Sequence, residues 1–196
     1  KLFTDERQMH VRIFLDCSAS MGKASPEKAA YAIGVAAALG FLSVHNMDKV
    51  SYFLMKNDVA ENPFGTIVGK NSFFRAISEL EKLDYSEECN ISTAVTSCSD
   101  TGSNDGLSVI ISDFFTDSDW KKAVDYLCYK RRQVVLVQIL TPEEEDPVYS
   151  GRLNLIDSES GDVSDNRNMK LRITRGMQAA YEEAMRDLKE DIRSYC

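Results

Sequence analysis

Asp16, Ser18 and Ser20 stand two positions apart in the segment Asp16-Cys17-Ser18-Ala19-Ser20-Met21-Gly22. They follow directly on Met9 to Leu15 (MHVRIFL), an apolar run that reads as a strand, so they fall in the loop at its carboxyl end. Asp113 closes a second apolar run, Leu107 to Ser112, in the same manner. Ligands of open α/β sheets bind outside the carboxyl ends of the strands, where strand order reverses. With the two strands as neighbours, two carboxylates and two hydroxyls face one crevice. That all-oxygen set suits a hard divalent cation such as Mg2+ or Mn2+. The plainer alternative is that Ser18 and Ser20 satisfy backbone groups in a tight loop while Asp16 caps a helix.

The elements that would position these residues follow from hydrophobic spacing. Ser25 and Pro26 read as the N-cap and first position of a helix. In it Ala30, Ile33, Gly34, Ala37, Phe41 and Val44 recur at helical intervals, and its other faces are also small and apolar, as in a helix packed on a sheet. Asp48 to Met55 is predicted as a second strand and Gly65 to Gly69 as a weak third at an edge. Helical spacing returns at Phe73, Phe74, Ile77, Leu80 and Leu83, and a short helix covers Ile91 to Cys98. Ser99 to Gly106 is a polar loop. Leu107 to Ile111 and Val134 to Leu140 read as central parallel strands buried on both faces, with a helix from Trp120 to Tyr129 between them. Arg152 to Asp157 and Met169 to Ile173 then flank the polar stretch Ser158 to Asn168 as a hairpin or edge extension. Met177, Ala180, Tyr181, Ala184, Met185, Leu188 and Ile192 define an amphipathic last helix closing a face of the sheet. The expectation is an α/β fold, a mostly parallel central sheet with helices on both faces and a C-terminal β-hairpin, in one domain over residues 1–196.

Composition narrows the function classes. Only 10 Gly and 4 Pro in 196 residues, with 43% hydrophobic residues, describe one globular domain and exclude a low-complexity chain. Lys and Arg number 23 against 31 Asp and Glu, and this net charge of −8 argues against a nucleic acid as main partner. Cations and basic protein surfaces suit it better. Cys17, Cys89, Cys98, Cys128 and Cys196 are odd in number and scattered, as free thiols of a reducing compartment are. With only His10 and His45 besides, structural zinc lacks ligands. No signal peptide is visible, and the most apolar run, Ala29 to Val44, is too short to cross a bilayer, so a cytoplasmic domain is expected. The opening Lys1-Leu2-Phe3-Thr4 without Met suggests a piece of a longer protein.

The Asp16 to Gly22 loop resembles the metal-ion-dependent adhesion site of von Willebrand factor type A domains. Four further stretches make nearly the whole chain similar to the bacterial domain of unknown function 58 family. They are Lys1 to Glu6, Ile110-Ile111-Ser112-Asp113-Phe114, Gln138 to Glu144, and the later Gly151, Leu155, Asp157 and Glu159. The resemblance implies a Rossmann-like three-layer sandwich in which Asp16, Ser18, Ser20 and Asp113 hold Mg2+ or Mn2+ that bridges to an acidic residue of a partner protein. Such family members are often encoded beside MoxR-type AAA ATPases and often carry an N-terminal membrane anchor. One departure matters: the adhesion site's second loop normally supplies a Thr, and here Cys89 falls at that place, with Ser92 or Thr93 one turn later as substitutes. A thiol is a poor ligand for Mg2+.

Rival chemistries find less support. Cys17 and Lys23 only faintly echo a phosphatase loop, whose phosphate-forking Arg is absent. A dehalogenase-type phosphatase needs an Asp where Ser18 stands, and no G-x-G-x-x-G follows the first strand. The expected function is a non-catalytic, metal-dependent protein-interaction module. The alternatives are a metal-dependent phosphohydrolase using the same carboxylates, or a metal-free scaffold. The acidic run Glu143 to Asp146 is read as a solvated loop or a recruiter of a basic partner, and Lys130-Arg131-Arg132 as charges complementing a helix end.

Overall fold

The computed structural model describes residues 8–22, 25–85, 88–98, 106–116, 118–147, 151–155 and 169–195. The elements are, in order, β1 (His10–Asp16), α1 (Ala19–Gly22), α2 (Pro26–His45), β2 (Lys49–Lys56), β3 (Val59–Glu61), α3 (Lys70–Leu80) and α4 (Ile91–Ser97). They continue with β4 (Gly106–Ser112), α5 (Trp120–Tyr129), β5 (Arg132–Gln138), α6 (Pro142–Glu145), β6 (Gly151–Leu155), β7 (Met169–Ile173) and α7 (Arg175–Tyr195).

Five strands form one sheet in the order β3-β2-β1-β4-β5, all parallel except β3. The chain winds outward from β1 through β2 to β3 and then returns to the other side of β1, so strand order reverses between β1 and β4. Register places Leu15 opposite Ile111, and the next residues, Asp16 and Ser112, reach the same rim. The switch point expected from the sequence is therefore real.

Alternation along the strands divides the apolar side chains between two cores. Val11, Ile13 and Leu15 join Ala29, Ala32 and Ala36 of α2 and Phe73, Ala76 and Leu80 of α3 on one face. Phe14, Phe53 and Ile110 meet Ile91, Ala94 and Val95 of α4, Trp120, Ala123 and Leu127 of α5, and Ile192 of α7 on the other. Phe14 and Phe53 stack at 4.8 Å between centroids. Helices thus cover both faces, and each large side chain so buried contributes about 1.5–3 kcal/mol. Close seating of α2 depends on Gly40, since a Cβ there would lie 1.9 Å from the Tyr52 hydroxyl.

Four expectations need correction. Gly65 to Gly69 is not a strand: only Ile67 bridges Val50, and the true edge strand is β3, reached by a two-residue Asn57-Asp58 turn with Asn57 at φ +51°. The Val134 to Leu140 run is mostly β5, which lies at the sheet edge with Val135 44% exposed, so its β-branched residues do not mark a central strand. Arg132 is not a helix-end charge. It opens β5, buried, and donates to the Ser108 hydroxyl and the His10 and Leu107 carbonyls at 2.6 Å each, stitching three strands together. Finally, α2 extends to 20 residues with a mean hydropathy of 1.3 over its most apolar window, long and apolar enough by length and composition to cross a membrane. In this fold it packs on β1 and β2.

The C-terminal hairpin forms as expected, β6 pairing antiparallel with β7 in a two-stranded sheet of their own. The Ser158 to Asn168 excursion and nearly all of the Ser99 to Gly106 loop lie outside the described residues.

Candidate functional site

Asp16 ends β1 at 3% exposure, and both of its carboxylate oxygens are engaged. Oδ2 accepts the Ser112 hydroxyl at 2.6 Å from the adjacent strand, and Oδ1 accepts the Ser18 backbone N–H at 2.9 Å. Burial pushes its carboxyl above the ordinary 3.8, the Ser112 bond opposes that rise, and the charge of Asp113 adds to it. Of the plainer alternative only the Asp16 part is met, its side chain closing a turn on the Ser18 N–H just ahead of α1. The Ser18 and Ser20 hydroxyls are nevertheless brought together beside it, 3.0 Å apart.

Asp113 follows β4, and the residue after it, Phe114, takes φ +61°, a conformation uncommon for a non-glycine side chain and often found in functional loops. This turn lets Asp113 Oδ1 accept the Phe115 N–H at 2.9 Å. Oδ2 receives Lys28 Nζ at 2.8 Å, and the same ammonium lies 2.8 Å from Oε1 of Glu144. The Lys28 side chain is wholly buried, and its nitrogen sits 5.6 Å from the centre of the Phe115 ring. A resident cation is therefore built against one of the two rim carboxylates.

The second loop is pinned to the end of β2. Asn57 donates to the Glu88 carbonyl at 2.7 Å and accepts from the Asn90 N–H at 2.8 Å, and the side chain of Asn90 then caps α4 through the Thr93 N–H. Between these bonds Cys89 is delivered to the Asp16 groove, whereas Ser92 and Thr93 fall on α4 and do not line it. Burial and the adjacent Asp16 push the Cys89 thiol up, so it stays protonated near neutrality and offers a cation only a weak neutral sulfur. Cys17 is buried in the core, and burial raises its thiol to about 12, which removes the thiolate that a phosphatase loop would use.

The groove, about 920 Å³, is lined by Asp16, Ser18, Cys89, Asn90 and Thr116, among others. Three contributors escape sequence reasoning: Ser112, Thr116 and Lys28. The Thr116 hydroxyl lies 3.4 Å from the Cys89 carbonyl and 3.0 Å from the Ser118 hydroxyl, so the Asp113 loop brings an oxygen donor to where the second loop carries sulfur. The acidic run beyond β5 is solvated as expected at Glu143, Glu145 and Asp146, and only Glu144 departs from that reading. It forms α6 with a capping box between Thr141 and Glu144, Glu144 turns inward to Lys28, and Glu145 pairs with Lys189 of α7 at 2.5 Å.

Among the described residues no three His, Cys, Asp or Glu side chains gather to hold a metal, so a cation here would depend on hydroxyls. The oxygens that could hold a hard cation are those of Asp16 and Ser18, which line the groove, and of Ser20 beside them, whereas Asp113 is outside the lining and paired with Lys28.

Fold and site together define an α/β domain with a polar crevice at its topological switch point. Residues 1–190 match the family described as protein of unknown function DUF58, and the chain belongs to that family. Similar proteins include the uncharacterized proteins Mb1516 of Mycobacterium bovis and Rv1480 of Mycobacterium tuberculosis, each 25% identical over 163 residues. The match covers 81% of this chain and 51% of either relative, so the chain spans about half the length of the curated relatives it matches.

Proposed function

We propose that this domain is a protein-interaction module of von Willebrand factor type A architecture, whose recognition element is a Mg2+ or Mn2+ ion held by Asp16, Ser18 and Ser20 with Asp113. The observation that carries the reading is the convergence of the buried Asp16 carboxylate and the paired Ser18 and Ser20 hydroxyls at the β1–β4 switch point, beside Asp113. Thr116, in the same groove as Asp16 and Ser18, is a further oxygen donor close to Cys89, the place of the missing second-loop Thr. When bound, such a cation supplies a Lewis-acid seat for a carboxylate oxygen of an acidic residue on a partner protein. Asp16 keeps its orientation through Ser112, and the Phe114 turn keeps Asp113 at the rim.

The non-catalytic reading draws on the thiols of Cys17 and Cys89, both held protonated, and on His10 and His45, which lie at the opposite, amino-terminal end of the sheet. A MoxR-type AAA ATPase is the partner class that the family resemblance suggests. A cytoplasmic domain within a membrane-anchored protein is the proposed setting.

Thermal unfolding in EDTA, Mg2+ and Mn2+ tests the proposal, with Asp16→Ala as control. A ligand at a hundredfold excess over Kd adds about 2.7 kcal/mol, and each kcal/mol raises Tm by about 2–4 °C at this size. The expected result is a rise of several degrees that Asp16→Ala abolishes, with no turnover of p-nitrophenyl phosphate. Metal-dependent turnover lost in Asp16→Ala would establish the hydrolase instead.

A further inference from the structure

Lys28 is the only charged residue between Glu27 and His45 in α2, and it is directed into the protein rather than out to water. It has two carboxylate partners at equal distance but in unequal surroundings: Asp113 is 2% exposed and Glu144 28%. Glu144 is also tied to its own helix. Its other carboxylate oxygen accepts the Thr141 N–H at 2.8 Å, and its carbonyl accepts the Tyr181 hydroxyl of α7 at 2.6 Å.

We infer that Lys28 is a resident counter-cation with two seats, Asp113 and Glu144, and that it passes wholly to Glu144 when Asp113 engages a divalent cation, so that α6 senses occupancy of the crevice. The inference rests on the metal-site reading above. Its physical basis is competition for one carboxylate. Asp113 Oδ1 already accepts the Phe115 N–H and Oδ2 the ammonium, so a divalent cation on this group both repels Lys28 and takes its electron density. A buried ammonium left without any carboxylate would carry a large desolvation cost. Glu144, at 2.8 Å, removes that cost by offering a second seat without a passage through water. Lys28 then pulls on α6, whose capping box and contact with Tyr181 pass the change to α7.

The test is calorimetric titration with MnCl2 of the wild type, Lys28→Met, Glu144→Gln and the double variant. Lys28→Met should bind Mn2+ about tenfold or more tightly, because the competitor is gone. Glu144→Gln should bind several-fold more weakly, because Lys28 has lost its alternative seat. In the Lys28→Met background Glu144→Gln should then change nothing, since its effect works through Lys28. Effects that simply add would mean two independent charges acting at a distance and would overturn the inference, as would unchanged affinity in Lys28→Met. Amide hydrogen exchange gives a readout that survives if Lys28→Met does not fold. Saturating Mn2+ should slow exchange in residues 144–146 of the wild type but not of Glu144→Gln, and an unchanged wild-type pattern overturns the inference. Absence of Mn2+ binding in every variant would instead bring down the metal-site reading, and the two-seat role with it.

Discussion

The Ser112 hydroxyl donates to Asp16 Oδ2 across 2.6 Å, joining neighbouring parallel strands at the point where the sheet reverses its order. The same oxygen accepts the Phe114 N–H at 2.9 Å, so one serine orients the buried carboxylate and anchors the turn that presents Asp113. Ser112→Ala removes both bonds and leaves a buried carboxylate short of a donor. The expected loss is about 1–3 kcal/mol, read as a lowered urea midpoint with an unchanged slope. A midpoint equal to that of the wild type would contradict this role for Ser112.

Asp16 also sets a pH dependence. Its carboxyl is raised by burial above the ordinary 3.8, so the folded chain holds this proton at pH values where the unfolded chain has released it. Stability therefore falls as pH rises through that window, in proportion to the extra proton bound by the folded state. Asp16→Asn lacks the ionisation and escapes the loss. In EDTA, the Tm of Asp16→Asn minus that of the wild type should become more positive as pH rises above the ordinary 3.8 of the unfolded carboxyl. A difference that stays flat, or turns the other way, would mean that Asp16 ionises without strain in the fold.

Two glycines of α2 should respond in opposite directions to the same substitution. A Cβ at Gly40 meets the hydroxyl of Tyr52, which donates to the Ala36 carbonyl at 3.2 Å, whereas a Cβ at Gly34 has nothing within 4 Å. Gly40→Ala should cost about 1–3 kcal/mol through overpacking. Gly34→Ala should gain about 0.5–1 kcal/mol through helix propensity. Chemical denaturation of the pair checks the sign directly.

Thiol reactivity provides a fourth check. Cys128 is exposed, while burial raises the thiols of Cys17 and Cys89, the first to about 12. Near pH 8, alkylation mapped by mass spectrometry should modify Cys128 rapidly and reach Cys17 and Cys89 only on unfolding. Rapid modification of Cys89 in the folded protein would show a thiolate there and reopen the chemistry of the groove.

Much of this arrangement was legible because the strands carry continuous apolar runs that end in polar residues, which located β1, β2, β4 and the Asp16 and Asp113 loops to within a residue or two. Misread elements share a cause: local composition does not report position within a sheet. The β-branched β5 lies at an edge, and the short β3 is signalled only by the Asn57-Asp58 turn. Lys28 escapes because one charge in the first turn of an apolar helix, next to Glu27, has no periodicity and reads as solvated; the absence of any further charge up to His45 is the available clue. Glu144 was hidden in an acidic run, where its neighbours suggested solvent, and only the tertiary fold shows which carboxylate turns inward. Ser112 and Thr116 have ordinary types and spacing, so nothing in the sequence separates them from other hydroxyls.

The central claim is that Asp16, Ser18 and Ser20 form a cation seat. Titration of the wild type with Mn2+, followed by electron paramagnetic resonance of the free ion, tests it most directly. The account predicts one Mn2+ bound per chain, displaced by Mg2+ and lost in both Asp16→Ala and the Ser18→Ala/Ser20→Ala double variant. An undiminished free-ion signal at millimolar protein, or binding that survives these substitutions, would contradict it.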